Sequence, residues 1–136
     1  IPNGAPGVEN RLELMYSEGV HQGRISLNKL VELTATAPAQ VFGLTRKGRL
    51  AVGYDADIVI FDPVKQHTLS VDTQHMNCDY SAYEGWEVTG KCETVILRGI
   101  VAIDKGQAAV GQGFGRYISR QPREASLPAR SSVSCS

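Results

Sequence analysis

Ala56-Asp57-Ile58-Val59-Ile60-Phe61 and, further on, Thr94-Val95-Ile96-Leu97-Arg98-Gly99-Ile100-Val101-Ala102-Ile103 decide how this chain folds. The first stretch is β-branched and almost continuous, which reads as a strand, and Asp62-Pro63 is expected to close it. In the second, two apolar runs flank Arg98-Gly99, the pattern of a two-residue hairpin turn. Asp104-Lys105-Gly106-Gln107 marks the next turn and leads to a weaker strand at Ala108 to Val110. His67-Thr68-Leu69-Ser70 is a further short strand. Thr73 to Gly90, rich in Asn, Asp, Tyr and Gly, has no period and is expected to be an ordered loop. Strands this short with turns this close indicate one sheet of a sandwich.

Upstream of these strands the period changes. Val8, Leu12, Met15, Tyr16 and Gly19 fall at i, i+4, i+7, i+8 and i+11, the stripe of an amphipathic helix. Glu9 would lie in its first turn, where the helix dipole favours negative charge, and Gly19 would end it. A second helix is expected from Ser26, a good N-cap, with Ile25 and Leu30 placed as a hydrophobic staple. Its buried face would be Leu27, Leu30, Val31 and Thr34. Pro38 in a first turn and Gly43 after Val41-Phe42 frame a short third helix. Residues 120–136 form a tail, extended or disordered, with two Pro and five Ser between Gln121 and Ser136.

Helices followed by strands leave each zone short of a partner: the helices have no bundle or barrel to cover, and the sheet has an open edge. A longer parent chain or a stable oligomer is therefore expected. The opening Ile1-Pro2-Asn3-Gly4-Ala5-Pro6-Gly7 lacks an initiator Met and reads as a loop entered mid-sequence.

Composition removes several function classes. The 136 residues are 42% hydrophobic and 21% charged, globular rather than disordered. Fourteen Lys and Arg balance fourteen Asp and Glu, so no net positive field recruits nucleic acid or anionic lipid. No apolar run approaches the ~20 residues that span a bilayer. Cys78, Cys92 and Cys135 form no C-x-x-C pair, which points to a reducing, cytoplasmic setting rather than a disulfide scaffold.

The candidates for chemistry are few. His21, His67 and His75 stand without H-x-H or H-E-x-x-H spacing and read as non-ligands. Gly111-Gln112-Gly113-Phe114-Gly115 precedes no helix, so it reads as a tight loop rather than a phosphate cradle. Tyr80, Tyr83 and Trp86 are either an aromatic recognition patch or anchors for a long loop, the anchor role weighing more. Pro2-Asn3-Gly4 is first of all a turn, although such a turn is able to aim a backbone carbonyl and amide at a ligand.

Ile1-Pro2-Asn3-Gly4-Ala5-Pro6-Gly7-Val8-Glu9-Asn10-Arg11 closely resembles a signature of dihydropyrimidinases and D-hydantoinases in the amidohydrolase superfamily. The likeness continues through Ser17-Glu18-Gly19-Val20, Pro38 to Leu44, Lys47 to Asp57, Tyr83 to Gly90 and Gly113 to Ile118. The resemblance implies an α/β parent, a TIM barrel plus a composite β-sandwich. Residues 1–46 would be the last barrel helices with a substrate loop at 1–7, and 47–119 the C-terminal strands of the sandwich. A barrel alone takes ~250 residues, more than this chain holds.

The same resemblance implies hydrolysis of cyclic amides, dihydropyrimidines or hydantoins, to N-carbamoyl amino acids by a zinc pair with a bridging hydroxide. The zinc ligands of the family (four His, a carboxylated Lys and an Asp) lie upstream of the I-P-N-G loop, so no catalytic or metal residue is carried over. Asn3 is: its backbone is implied to bond the imide of the substrate. Tyr117 and the tail resemble segments packed between subunits of a homotetramer. By this reading the isolated chain hydrolyses nothing and has little stability of its own. The alternative is a non-catalytic dihydropyrimidinase-like assembly protein, which the Asn of I-P-N-G disfavours.

Overall fold

A computed structural model describes residue 4 and residues 6–121. Ile1 to Asn3, Ala5 and residues 122–136 lie outside the described residues, and with them the expected substrate contact at Asn3 and most of the expected tail.

Helix α1, Arg11–Met15, widens into a π-helical stretch, Tyr16–His21. It ends at Gly23, not at Gly19. Gly23 has φ +68°, and the N–H groups of Gly23 and Arg24 return to the carbonyls of Val20 and Gly19, closing the end with a left-handed residue. Gly19 serves a different purpose: a side chain there would meet Ile25 at 3.0 Å. Glu9 also differs from expectation. It precedes the N-cap, Asn10, and the first-turn acid is Glu13.

Helix α2, Leu27–Val31, starts at Ser26 as expected, with the serine hydroxyl accepting from the Lys29 N–H at 3.1 Å. The expected third helix is present, with Pro38 in its first turn, but it does not stand apart from the second. Instead α2 passes through a π stretch, Glu32–Thr36, directly into α3, Ala37–Val41. Pro38 lacks the N–H that an α-helix sends back four residues, and its ring crowds that turn. A widened turn before it is the way a helix passes such a residue without breaking. Gly43, at φ +64°, ends the helix where the sequence placed its end.

Four strands make one antiparallel sheet in the order β1-β2-β3-β4: Ile58–Thr68, Glu87–Leu97, Ile100–Asp104 and Gln107–Ala108. The hairpin at Arg98-Gly99 stands as read, both residues having positive φ (52° and 78°), as a type I′ turn demands. Lys105-Gly106 repeats the device at 48° and 77°. Four expectations need correction. Asp62-Pro63 does not close β1: pairing runs from Asp62↔Lys91 to Gln66↔Thr89, so Pro63, Val64 and Lys65 bulge out opposite Gly90. The Asp62 carboxylate holds that bulge by accepting from the N–H groups of Val64 and Lys65. His67-Thr68 is the continuation of β1, not a new strand, and the expected loop at 73–90 ends early because β2 begins at Glu87. The weak last strand is Gln107–Ala108, not Ala108 to Val110.

The apolar core is small: Leu30, Ala39, Leu69, Val88 and Ala102 are buried. Of the expected buried face of α2, Leu30 is covered, but Leu27 and Val31 stay 56% and 50% exposed. They flank an open cleft of about 810 Å³ between the helices and the sheet, with Leu50 and Val59 on its far side. Among the described residues no helix is long and apolar enough to cross a membrane. The tail is described as far as Gln121, whose N–H bonds the Gly43 carbonyl at 3.0 Å.

Candidate functional site

The side chains of interest converge where α1 meets the sheet. The bulges in β1 and β2 turn two β2 amides away from the ladder, and a buried N–H needs an acceptor. Helix α1 supplies both. Glu13 Oε1 accepts from the Cys92 N–H at 3.0 Å, and Ser17 Oγ accepts from the Thr89 N–H at 3.2 Å. Glu13 Oε2 pairs with His67 Nε2 at 3.0 Å, so both oxygens of this nearly buried carboxylate are engaged. A proton on His67 Nε2 makes it the donor and leaves Nδ1, which has no partner among the described residues, as a bare acceptor. Tyr16 packs its ring on Phe61 at 4.8 Å between centroids, directly over Gly90. The face turned to the sheet thus combines the Glu13 carboxylate and Ser17 hydroxyl with the Tyr16 ring of the expected stripe, while Val8 of that stripe is 81% exposed.

Immediately before the helix, the chain leaving the I-P-N-G loop is held by the segment between β1 and β2. Tyr80 donates its hydroxyl to the Gly4 carbonyl at 3.0 Å. Gly7 lies against the Tyr83 ring, which meets Trp86 edge-on at 5.5 Å. Glu9 accepts from the His75 N–H at 2.8 Å and pairs with His75 Nδ1 at 2.7 Å. The Glu9 carboxylate holds the His75 imidazolium above the usual histidine range, against the opposite pull of burial. Asn10, 3% exposed, accepts from Gln74 Nε2 at 3.1 Å. The trio does not anchor its loop to the core as expected, since Tyr80 and Trp86 are exposed; Tyr80 and Tyr83 reach the chain around Gly4 and Gly7 instead.

A second cluster lies at Gly53-Tyr54-Asp55-Ala56-Asp57. Alternate residues of an extended chain share a face, and here Asp55 and Asp57 close on Lys47, with Arg46 on Asp55 at 2.7 Å. The Arg98 N–H of the hairpin donates to Asp57 at 2.8 Å, tying the turn to the same clasp. Burial would lift the Asp57 carboxyl, but the hydrogen bond from Lys47 leads the contacts that hold it below the usual carboxylate range. Burial likewise works against the Lys47 ammonium, and its bonds to Asp57 and Asp55 keep it above the usual lysine range. This is structural bracing rather than acid–base machinery.

Asn3 itself lies outside the described residues. Among the described residues no group of three or more His, Cys, Asp or Glu is placed to hold a metal ion. Residues 7–101 match the model of the amidohydrolase family. The chain belongs to that family. Among its relatives in the family is the D-hydantoinase of Geobacillus stearothermophilus, 45% identical over 121 residues, which cover 88% of this chain and 26% of the relative. The dihydropyrimidinase of Rattus norvegicus is 42% identical over 123 residues, 90% of this chain and 24% of that one. The solved D-hydantoinase from Bacillus sp. AR9 superposes with a TM-score of 0.88 at 52% identity, covering 91% of this chain and 28% of its own. This amidohydrolase-family chain thus spans about a quarter of the length of the curated relatives it matches.

The two pairs Glu9–His75 and Glu13–His67 escaped the sequence reading. The one signal was Glu13, an acid three residues before Tyr16 and four before Ser17 on the same helical face. Asp55 and Asp57 carried a clearer signal in their i, i+2 spacing. In the glycine-rich run at 111–115, Arg98 donates to the Phe114 carbonyl at 2.7 Å and stacks over its ring at 4.6 Å.

Proposed function

We propose that this chain is the C-terminal part of a zinc-dependent cyclic amidohydrolase that opens dihydropyrimidine or hydantoin rings to N-carbamoyl amino acids. The observation that carries the reading is the match to D-hydantoinases and a dihydropyrimidinase over about nine-tenths of this chain and only a quarter of theirs. The uncovered cleft between helices and sheet supports it, since an apolar wall of that size suits further polypeptide packed against it. Residues 1–46 then serve as the last helices of a TIM barrel, 47–119 as its share of a β-sandwich, and 120–136 with Tyr117 as a contact in a cytoplasmic homotetramer.

The described residues do not fit a metal centre: His67 and His75 are each tied to a glutamate, and no third donor joins either. The zinc pair belongs, on this proposal, to side chains upstream of Ile1, and supplies the hydrolytic water there. The task of this chain is to hold the loop at 1–7 so that the Asn3 backbone meets the ring imide of the substrate. No observation favours the non-catalytic reading.

The test is a ring-opening assay with dihydrouracil and a 5-substituted hydantoin, run on the full-length polypeptide and on the isolated 136 residues. Turnover by the first and the buffer rate from the second are expected; zinc-dependent turnover by the isolated chain refutes the proposal. In the full-length polypeptide, Asn3→Ala should keep most activity because the backbone makes the contact. Asn3→Pro, which removes the N–H, should lose it.

A further inference from the structure

We propose that Tyr80, together with the Glu9–His75 pair, positions the chain leaving the I-P-N-G loop, at Gly4 and Glu9, for substrate binding. The inference rests on the function proposed above. Among the described residues, no backbone–backbone hydrogen bond ties residues 4–9 to the rest of the chain. Side chains of the segment between β1 and β2 do that work. The Tyr80 hydroxyl holds the Gly4 carbonyl, the residue next to Asn3, and the Tyr83 ring lies against Gly7. His75 grips Glu9 through both its backbone N–H and Nδ1, while Nε2 faces the Gly106 carbonyl at 3.1 Å. Two acceptors on the two ring nitrogens are both satisfied only by the imidazolium, which donates twice. One segment therefore pins the loop at both ends and ties it through Gly106 to the β3–β4 turn.

Tyr80 is 46% exposed, so its ring contributes little to a core. Among the described residues its one polar contact is to Gly4, 76 residues away in sequence. Tyr80→Phe removes that contact and keeps the ring. A loop that binds the substrate ring equally before and during the reaction affects KM rather than kcat.

The experiment uses the full-length polypeptide with Tyr80→Phe, and with Glu9→Gln as a second variant that breaks the other pin at constant size. KM for dihydrouracil should rise about fivefold in each, the equivalent of one ordinary hydrogen bond, with a smaller change in kcat. Amide hydrogen exchange across residues 4–8 should quicken, while residues 87–104 keep their protection. An unchanged KM in an active Tyr80→Phe enzyme overturns this inference and leaves the proposed function standing. A wild-type polypeptide that opens neither ring overturns the proposed function, and the positioning role toward substrate falls with it.

Discussion

Gly90→Ala tests how closely α1 is seated on the sheet. Gly90 faces the β1 bulge at φ +100°, and a Cβ there would lie 2.4 Å from Tyr16 Cδ1 and 2.7 Å from Phe61 Cζ. Two costs follow. Forcing an L-residue into left-handed backbone costs about 1–2 kcal/mol. Overpacking costs about 1–3 kcal/mol more, because the two rings pack on each other and neither is the free end of a flexible chain. The sum is about 2–5 kcal/mol. Gly99→Ala isolates the first cost: φ is +78° and nothing lies within 4 Å of its Cβ position. Urea denaturation of the two variants side by side, followed by Trp86 fluorescence in the 136-residue chain, reads the difference. With a slope of about 1–3 kcal/mol per molar urea, Gly90→Ala should fall roughly 1 M below Gly99→Ala. Exchange of the Thr89 and Cys92 amides should also quicken, since lifting Tyr16 draws Ser17 and Glu13 off their donors. Equal midpoints for the two variants would refute the packing argument.

Lys47→Met leaves Asp55 and Asp57 facing each other without the shared cation and should cost about 1–3 kcal/mol, between exposed and fully buried pairs; the same denaturation measures it. Asp57 titrates below its ordinary value in the folded chain, so its stabilisation is full above the unfolded value and is lost as pH falls through the lowered one. Lys47→Met should flatten that acid limb. His75 has the opposite sign: its raised pKa stabilises fully below the unfolded value of 6.5 and is lost as pH rises through the folded one. Glu9→Gln should remove this fall in midpoint on the alkaline side. Burial, helped by the Glu13 charge, pushes the Cys92 thiol up to about 11, so alkylation at pH 8 followed by mass spectrometry should mark exposed Cys78 well before Cys92.

Particular residues show where reading by eye reached and where it stopped. The Ser26 cap, the Gly43 stop and the Arg98-Gly99 turn were legible because each depends on a handful of adjacent residues and their own dihedral preferences. Pro38 misled only in part: it does lie in the first turn of a helix, as read, but α2 widens and runs straight into that helix instead of stopping. Asp62-Pro63 misled in the same way, since an end signal in the chain became a bulge once β2 stayed in register on both sides of it. Glu13 was invisible as a structural acid. Nothing in its neighbourhood states that two strand amides, 72 residues downstream of Ser17 and 79 downstream of Glu13, need acceptors; that need exists only after the bulges have formed.

Residue order alone determined the helix-to-strand change, the turn types, the family likeness and the absence of clustered metal-ligand motifs, because all of these live in local pattern. Tertiary structure alone decided that α1 docks through a carboxylate and a hydroxyl beside the Tyr16 ring, and that one loop pins another across most of the chain. The physical reason is that unpaired amides and exposed carbonyls create demands whose location depends on strand register, and register is settled only when distant segments meet.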